Sequence, residues 1–483
     1  RVMGLGSADE LSLKSIAKRE SYLTTFGWSV SDTTEQLLWN SFVGPGLWDN
    51  TLGTEVHLPA CAFAAMPFKH WKGTMKFRFQ IVASSFHKGR LKITFDPYYQ
   101  KTNEYNVCYT HIIDLAKERD FTVDIGWGQA QSFLNVSPPS ATLLPFETST
   151  NIGPDNNAYW NGVISAYVVN DLTIPNSTAN NNIEINVFVS AGDDIEFVNP
   201  DSEVIQDFTY FSAPVLDAQS GEETVADSTL TVDESIPMRT QPTDHMAAAI
   251  SDTDNSQLVF FADPVNSFRQ CLKRYNYHKY IPKTTGGYSW LILRTGDFPA
   301  YRGYAPGAVD VTAAGDDYNY CKTTLLTYLA PAYTCMRGGM RWKYMRDGGT
   351  NIANDNFFQV ARRAEDEAGY LYYQESALTN ATGNASQRIA QVARLVPHTW
   401  DGATVTSVGN NPVLEAEIPF HTSRRFFPAK SANKAQVNFN TFHTLTSMWN
   451  SGAATSPGIH AYQSVAEDFT LGFFTGCPPL FIR

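Results

Sequence analysis

Charge is scarce in this chain. Only 17% of its 483 residues are Asp, Glu, Lys or Arg, against roughly 25% in an average soluble domain, and the formal net charge is −12. Neutralising phosphates takes clustered Lys and Arg, so this balance excludes tracking of a nucleic-acid backbone over the whole surface. Any RNA contact must be local or shared with partners. No apolar run approaches the roughly 20 residues that span a bilayer, and Arg1-Val2-Met3-Gly4 leads into polar sequence rather than the apolar core of a signal peptide. A chain that begins with Arg rather than Met is expected to be a fragment cut from a longer precursor. The cysteines Cys61, Cys108, Cys271, Cys321, Cys335 and Cys477 form no CxxC pair and have no His at zinc-ligand spacing. A reducing compartment is expected, with no metal and no cofactor. Helical period is also rare, and only Glu10 to Arg19 sets Leu11, Leu13, Ile16 and Ala17 near one stripe.

What the chain does have is apolar and aromatic bulk, 43% hydrophobic and 13% aromatic, punctuated by 32 Gly and 25 Pro. That suits β structure with many turns, in two or three domains by length. Met75, Phe77, Phe79 and Ile81 alternate with Thr74, Lys76, Arg78 and Gln80, and after Lys88-Gly89 the same period returns as Leu91, Ile93 and Phe95. These two runs predict an antiparallel pair. Ile183 to Val189, Tyr159 to Val169 and Phe121 to Ile125 supply further strands.

From Ser212 to Asp254 the composition turns acidic and loses its alternation, which predicts a linker or extended arm. It contains Gln219-Ser220 among small residues, readable as an ordinary polar loop. A second unit begins near Leu258, with strands expected at Ser289 to Leu293, Met340 to Met345, Gly369 to Gln374 and Phe469 to Phe474. It echoes the first: Trp71-Lys72-Gly73-Thr74-Met75-Lys76-Phe77 resembles Met336-Arg337-Gly338-Gly339-Met340-Arg341-Trp342. Duplication of one β unit is expected. The organisation predicted is residues 1–211, an arm over 212–257, and residues 258–483.

Chemistry-bearing patterns are sparse. Gly192-Asp193-Asp194 and Gly315-Asp316-Asp317 match the paired carboxylates of polymerase metal sites, yet no second acidic motif accompanies them and the tripeptide is ordinary turn chemistry. There is no Gly-x-Ser-x-Gly elbow, and Thr475-Gly476-Cys477-Pro478 lacks a Gly after its Cys. The stretch from Lys69 to Lys92 has no acidic residue, so Lys72, Lys76, Arg78, Lys88 and Arg90 are the RNA-facing candidates. Because the aromatics fall on the opposite strand face, a solvated or subunit-facing surface is the competing reading. A carbohydrate-binding or hydrolytic β-sandwich remains the alternative class and would need exposed Trp with paired carboxylates; Trp127, Trp160 and Trp290 read more easily as core.

Four stretches carry a resemblance to a known family. Asp9-Glu10-Leu11-Ser12-Leu13-Lys14-Ser15-Ile16-Ala17-Lys18-Arg19-Glu20-Ser21-Tyr22-Leu23 resembles the opening of a major capsid protein of picorna-like viruses, of the dicistrovirus and marine algal type. Pro67-Phe68-Lys69-His70-Trp71-Lys72-Gly73, running through Ser84-Ser85-Phe86-His87-Lys88-Gly89 to Asp96-Pro97, is similar to the jelly-roll signature of that group. Asp263 to Tyr275 resembles the segment preceding the jelly roll of the adjacent capsid protein, and Pro419 to Pro428 a late strand and loop there. The resemblance implies an all-β chain of two eight-stranded antiparallel jelly-roll sandwiches joined by the acidic extended linker. It implies a virion protein, not an enzyme, that associates with itself and other capsid proteins around genomic RNA after assembly in the host cytoplasm, presenting a surface to a host receptor. It makes Gln219-Ser220 a favoured protease junction. Glu467-Asp468-Phe469 is its nearest match to a motif linked to maturation cleavage, which makes Glu467 and Asp468 candidates, with Asp193-Asp194-Ile195 a weaker match.

Overall fold

The computed structural model describes residues 9–49, 55–98, 107–140, 144–150, 152, 158–175, 182–212, 243–246, 256–261, 265–281, 289–295, 298–304, 310–311, 315–346, 357–363, 372–375, 402–407, 411–421, 425–429, 443–450 and 458–482. Strand dominates them, and the helices are short, of three to six residues. The helix expected over Glu10 to Arg19 is a single turn, Leu13–Ala17, burying Leu13, Ile16 and Ala17.

Strands of the first half build two sheets. One runs Ser21–Trp28, Ile183–Ala191, Met75–Val82, Asp120–Ile125, with Thr243–Met246 added at its edge; the other runs Phe146–Thr148, Leu37–Phe42, Val163–Thr173, Lys88–Asp96, Tyr109–Asp114. Alternation on Met75–Val82 and Ile183–Ala191 points one set of side chains inward, as the sequence pattern requires. Trp39, fully buried on the second sheet, stacks at 5.6 Å on Phe26 and meets Phe77 and Phe79 edge-on at 6.4 and 5.8 Å, all three rings coming from the first sheet. These rings lock the two layers face to face.

The expected antiparallel pair of residues 75–82 with 88–96 does not form. Met75–Val82 pairs with Ile183–Ala191 and Asp120–Ile125, whereas Lys88–Asp96 pairs with Val163–Thr173 and Tyr109–Asp114 in the opposite sheet. Alternation reports which face is buried, not which strand lies alongside, and here the connection crosses the sandwich. Lys88–Asp96 also loses alternation past Arg90, with residues 91–96 all buried. Even Lys92 is enclosed, its Nζ 2.8 Å from Glu35.

The second half repeats the path. Asn276–Ile281, Ile459–Val465, Met340–Arg346 and Val413–Ile418 form one sheet; Tyr372–Glu375, Ser289–Thr295, His443–Asn450, Phe357–Arg363 and Ala403–Ser407 form the other. In each half, eight principal strands pass between the two sheets in the same order, with Lys88–Asp96 and Tyr109–Asp114 in the first half, and Phe357–Arg363 and Ala403–Ser407 in the second, staying in one sheet, which is the jelly-roll route. Apart from Thr243–Met246, which runs parallel to Asp120–Ile125, all these pairings are antiparallel.

Removing the keystone ring tests this packing. Trp39→Ala should lose about 3–5 kcal/mol, read as a fall in the urea midpoint with an unchanged slope; a midpoint within error of the parent would mean the layers are not held there.

Candidate functional site

The two sequence echoes occupy matching corners. In the first half, Gly73 (φ +140°) turns the chain into strand Met75–Val82, and a Cβ there would fall 2.6 Å from the Ile195 Cα. The Asp194 carboxylate closes the corner, accepting from the Thr74 backbone N–H at 3.1 Å and the Thr74 hydroxyl at 2.8 Å. In the second half, Gly338 (φ +120°) turns the chain into Met340–Arg346 against Phe469, and Asp468 Oδ1 accepts the Gly339 N–H at 2.9 Å. Backbone bonds repeat too: Gly192 N–H donates to the Thr74 carbonyl at 2.7 Å, and Ala466 N–H to the Gly339 carbonyl at 2.9 Å. Only glycine accommodates this left-handed approach without strain.

The residue before each Asp is tied by a lysine. Asp193 pairs with Lys18 and Glu467 with Lys273, each lysine standing at the C-cap of the helical turn that precedes its half's first strand. Arg341 also lies 3.8 Å from Glu467. Lys18 holds the Asp193 carboxyl below its ordinary range, and Lys273, then Arg341, does the same for Glu467. A carboxyl so lowered contributes stability above its unfolded-state range and loses it as pH falls through its folded value. Both carboxylates are largely exposed, which keeps that contribution small. The Glu467-Asp468 pair therefore combines one charge held outward by cations with one carboxylate bonded into a turn.

The basic candidates are distributed rather than gathered. Lys72 is buried, 5% exposed, with its Nζ 5.7 Å from the Phe133 ring centroid. Lys76 lies 3.1 Å from Asp124, and Arg78 sits 2.6 Å from both Asp120 and Glu20, with its guanidinium over Phe188. Hydrogen bonds to Asp120 hold the Arg78 charge more firmly than usual. Arg90 lies 3.3 Å from Asp114, and Lys88 is exposed. The second half repeats the arrangement, Arg341 with Glu417 at 2.7 Å and Lys343 with Glu415 at 2.5 Å. In both halves the outward cations of one central strand meet acids of the neighbouring strand. Sequence reading missed those acids because they lie 42 or more positions away; their own alternation, Asp120 with Asp124 and Glu415 with Glu417, was the available signal.

Other candidates lie elsewhere. Gln219 and Ser220 fall outside the described residues, as does the side chain of Trp290. Trp160 is buried at 3%, and Trp127 packs edge-on against Trp71 at 5.3 Å. The six cysteines are free thiols, and burial pushes Cys61 up to about 12. Among the described residues no cluster of three or more His, Cys, Asp or Glu could hold a metal, and no helix is long and apolar enough to cross a membrane.

Two successive jelly rolls with repeated corners and repeated cross-strand ion pairs define a tandem jelly-roll protein. Comparison with known proteins gives the family. A family model described as "CRPV capsid protein like" matches residues 253–483. The structural polyprotein of cricket paralysis virus is 24% identical over 206 residues, 40% of this chain and 22% of the polyprotein, so the match spans about a fifth of that relative. A chain in the structure of a marine algae virus of the order Picornavirales is 33% identical, with 43% of this chain and 82% of that chain covered at a TM-score of 0.41. A chain of the Triatoma virus empty capsid is 22% identical, with 45% and 82% covered at a TM-score of 0.35. The chain belongs to the capsid proteins of picorna-like viruses.

The corners give a direct test. Asp468→Ala strands the Gly339 N–H and should cost about 1–3 kcal/mol, whereas Asp468→Asn keeps an acceptor and should stay within about 0.5 kcal/mol of the parent in denaturant unfolding. Equal loss in both variants would show that charge, not the hydrogen bond, holds the turn.

Proposed function

We propose that this chain is a structural component of a non-enveloped icosahedral particle that encloses positive-strand RNA, assembles with other capsid subunits in the host cytoplasm, and presents part of the host-binding surface. The observation that carries this reading is the family match over residues 253–483, together with the likeness to the structural polyprotein of cricket paralysis virus. Its units are residues 1–211 and 258–483, with 212–257 as the arm between them and Gln219-Ser220 as the protease junction. A rigid jelly roll with long loops suits tiling, since many modest interfaces repeated by symmetry sum to a stable shell. No turnover is required for that task.

Genome contact on this reading is local and weak. Lys76, Arg78 and Arg90 already have carboxylate partners, which leaves Lys88 as the more available of these cations. Asp468 assists maturation cleavage only if the precursor brings the scissile peptide to the corner beside Glu467.

Co-expression of this chain with its companion capsid proteins and the cognate viral protease should yield nuclease-resistant, RNA-containing particles on a sucrose gradient. Intact-mass spectrometry of those particles should find two pieces divided between Gln219 and Ser220, and one piece when Gln219→Ala is introduced. Failure to sediment as particles would contradict the function; particles with an uncut parent chain would contradict only the junction.

A further inference from the structure

The second half contains a recess of about 520 Å³ beside the strand Asn276–Ile281. That volume falls within the roughly 300–1,000 Å³ of ligand pockets. Its walls come from different elements. Tyr277 and Tyr280 belong to that strand, Tyr318 and Tyr320 to the short strand Asp317–Asn319 and the residue after it. Backbone fastens one wall to the other, the Lys322 N–H donating to the His278 carbonyl at 2.7 Å. Pairing of Gly303–Tyr304 with Asp317–Asn319 brings Arg302 into the lining.

The rings are braced by their neighbours. Tyr318 packs on Tyr320 at 4.6 Å and meets Tyr304 edge-on at 5.1 Å. Tyr277 meets Tyr462 edge-on at 5.3 Å, and the Tyr280 ring lies 4.9 Å from that of His460. Even so, Tyr320 and Tyr280 are 60% and 39% exposed. Aromatic rings held in place yet bare to solvent are preorganised platforms for a flat ligand.

The charge of the recess has one sign. Its lining carries Lys279, Arg302 and Lys322 and no carboxylate. Burial pushes the lining His278 down to about 3, so it adds no charge near neutrality. Arg302 forms no ion pair among the described residues, and Lys322 Nζ donates to the neutral Gln206 side chain at 3.1 Å. By contrast, Lys76, Arg78, Arg341 and Lys343 are met by acids of a neighbouring strand. Cations beside uncovered rings suit single-stranded nucleic acid, whose phosphates meet the charges while its bases stack. Sugar hydroxyls need acceptors, and the one side-chain amide of the lining, Asn319, is buried and donates to the Tyr301 carbonyl at 3.0 Å.

We propose that this recess binds a short segment of single-stranded RNA, with a base against the tyrosine rings and its flanking phosphates on Arg302 and Lys322. The proposal rests on the reading of the chain as a genome-enclosing protein for the source of that RNA. A nucleotide within a strand offers a phosphate on each side, one for each cation, whereas a free mononucleotide offers one.

Fluorescence anisotropy of the full chain with labelled hexaadenylate RNA tests this. Arg302→Ala and Tyr320→Ala should each weaken binding about tenfold, and Tyr320→Phe should match the parent because the ring, not the hydroxyl, stacks. In Arg302→Ala the slope of log affinity against log salt should become shallower by about 0.7, one phosphate's share. Adenosine monophosphate, duplex RNA and a sulfated hexasaccharide should each compete at least tenfold less well than unlabelled hexaadenylate. Ultraviolet cross-linking of the parent chain reads the site without any variant, and mass spectrometry should place the adduct in residues 277–280 or 318–322. Unchanged affinity in both alanine variants, cross-links only elsewhere, or any of the three competitors matching the hexaadenylate would each overturn the proposal. RNA-containing particles with a silent recess would sink this inference and leave the shell reading standing; failure to form particles counts against the shell reading alone.

Discussion

Unpaired strand edges are the constraint on which this architecture turns. A sandwich leaves the backbone groups of its outermost strands without partners, and burying such groups unpaired costs about as much as a lost hydrogen bond. Here the chain's own distant segments supply two of the missing partners: Thr243–Met246 covers the Asp120–Ile125 edge, and Leu480–Ile482 fills a small separate sheet between Glu55–Val56 and Phe208–Thr209. The halves are thus bound by the same bonds that complete their sheets. Their shared aromatic core around Phe63, Tyr328 and Phe474 then has fixed walls to pack against.

Repetition explains much of the charge. Each half turns a corner on a glycine with positive φ, closes it with an aspartate, anchors the preceding acid to a helix-capping lysine, and sets the cations of one strand against the acids of the next. A basic run that looks like a nucleic-acid surface in isolation becomes a ladder of cross-strand pairs, each of modest energy.

How far the sequence went depends on the length scale of each feature. Long alternating runs such as residues 75–82, 183–191 and 340–346 were legible as half-buried strands, because period-2 burial is a local property. Their partners were not: residues 75–82 and 88–96 look like a hairpin and lie in opposite sheets. The joints between halves were also invisible, since Glu55-Val56 and Leu480-Phe481-Ile482 are too short to show any period. Of the candidate site, the glycine echo and the acidic doublets could be read directly. Their shared role at one corner emerged only when Gly339 was seen to donate to Asp468 as Thr74 does to Asp194. Lys72 looked wettable because it sits in a polar run, but its strand places it in the core.

The central claim is that this chain tiles a closed shell as a pair of interlocked jelly rolls. Electron cryomicroscopy of purified particles tests it most directly. The account predicts icosahedral shells in which neighbouring sandwiches are joined by density for residues 480–482 lying between residues 55–56 and 208–209. Density showing one sandwich with no such joint, or purified protein that never closes into shells with its companions, would contradict it.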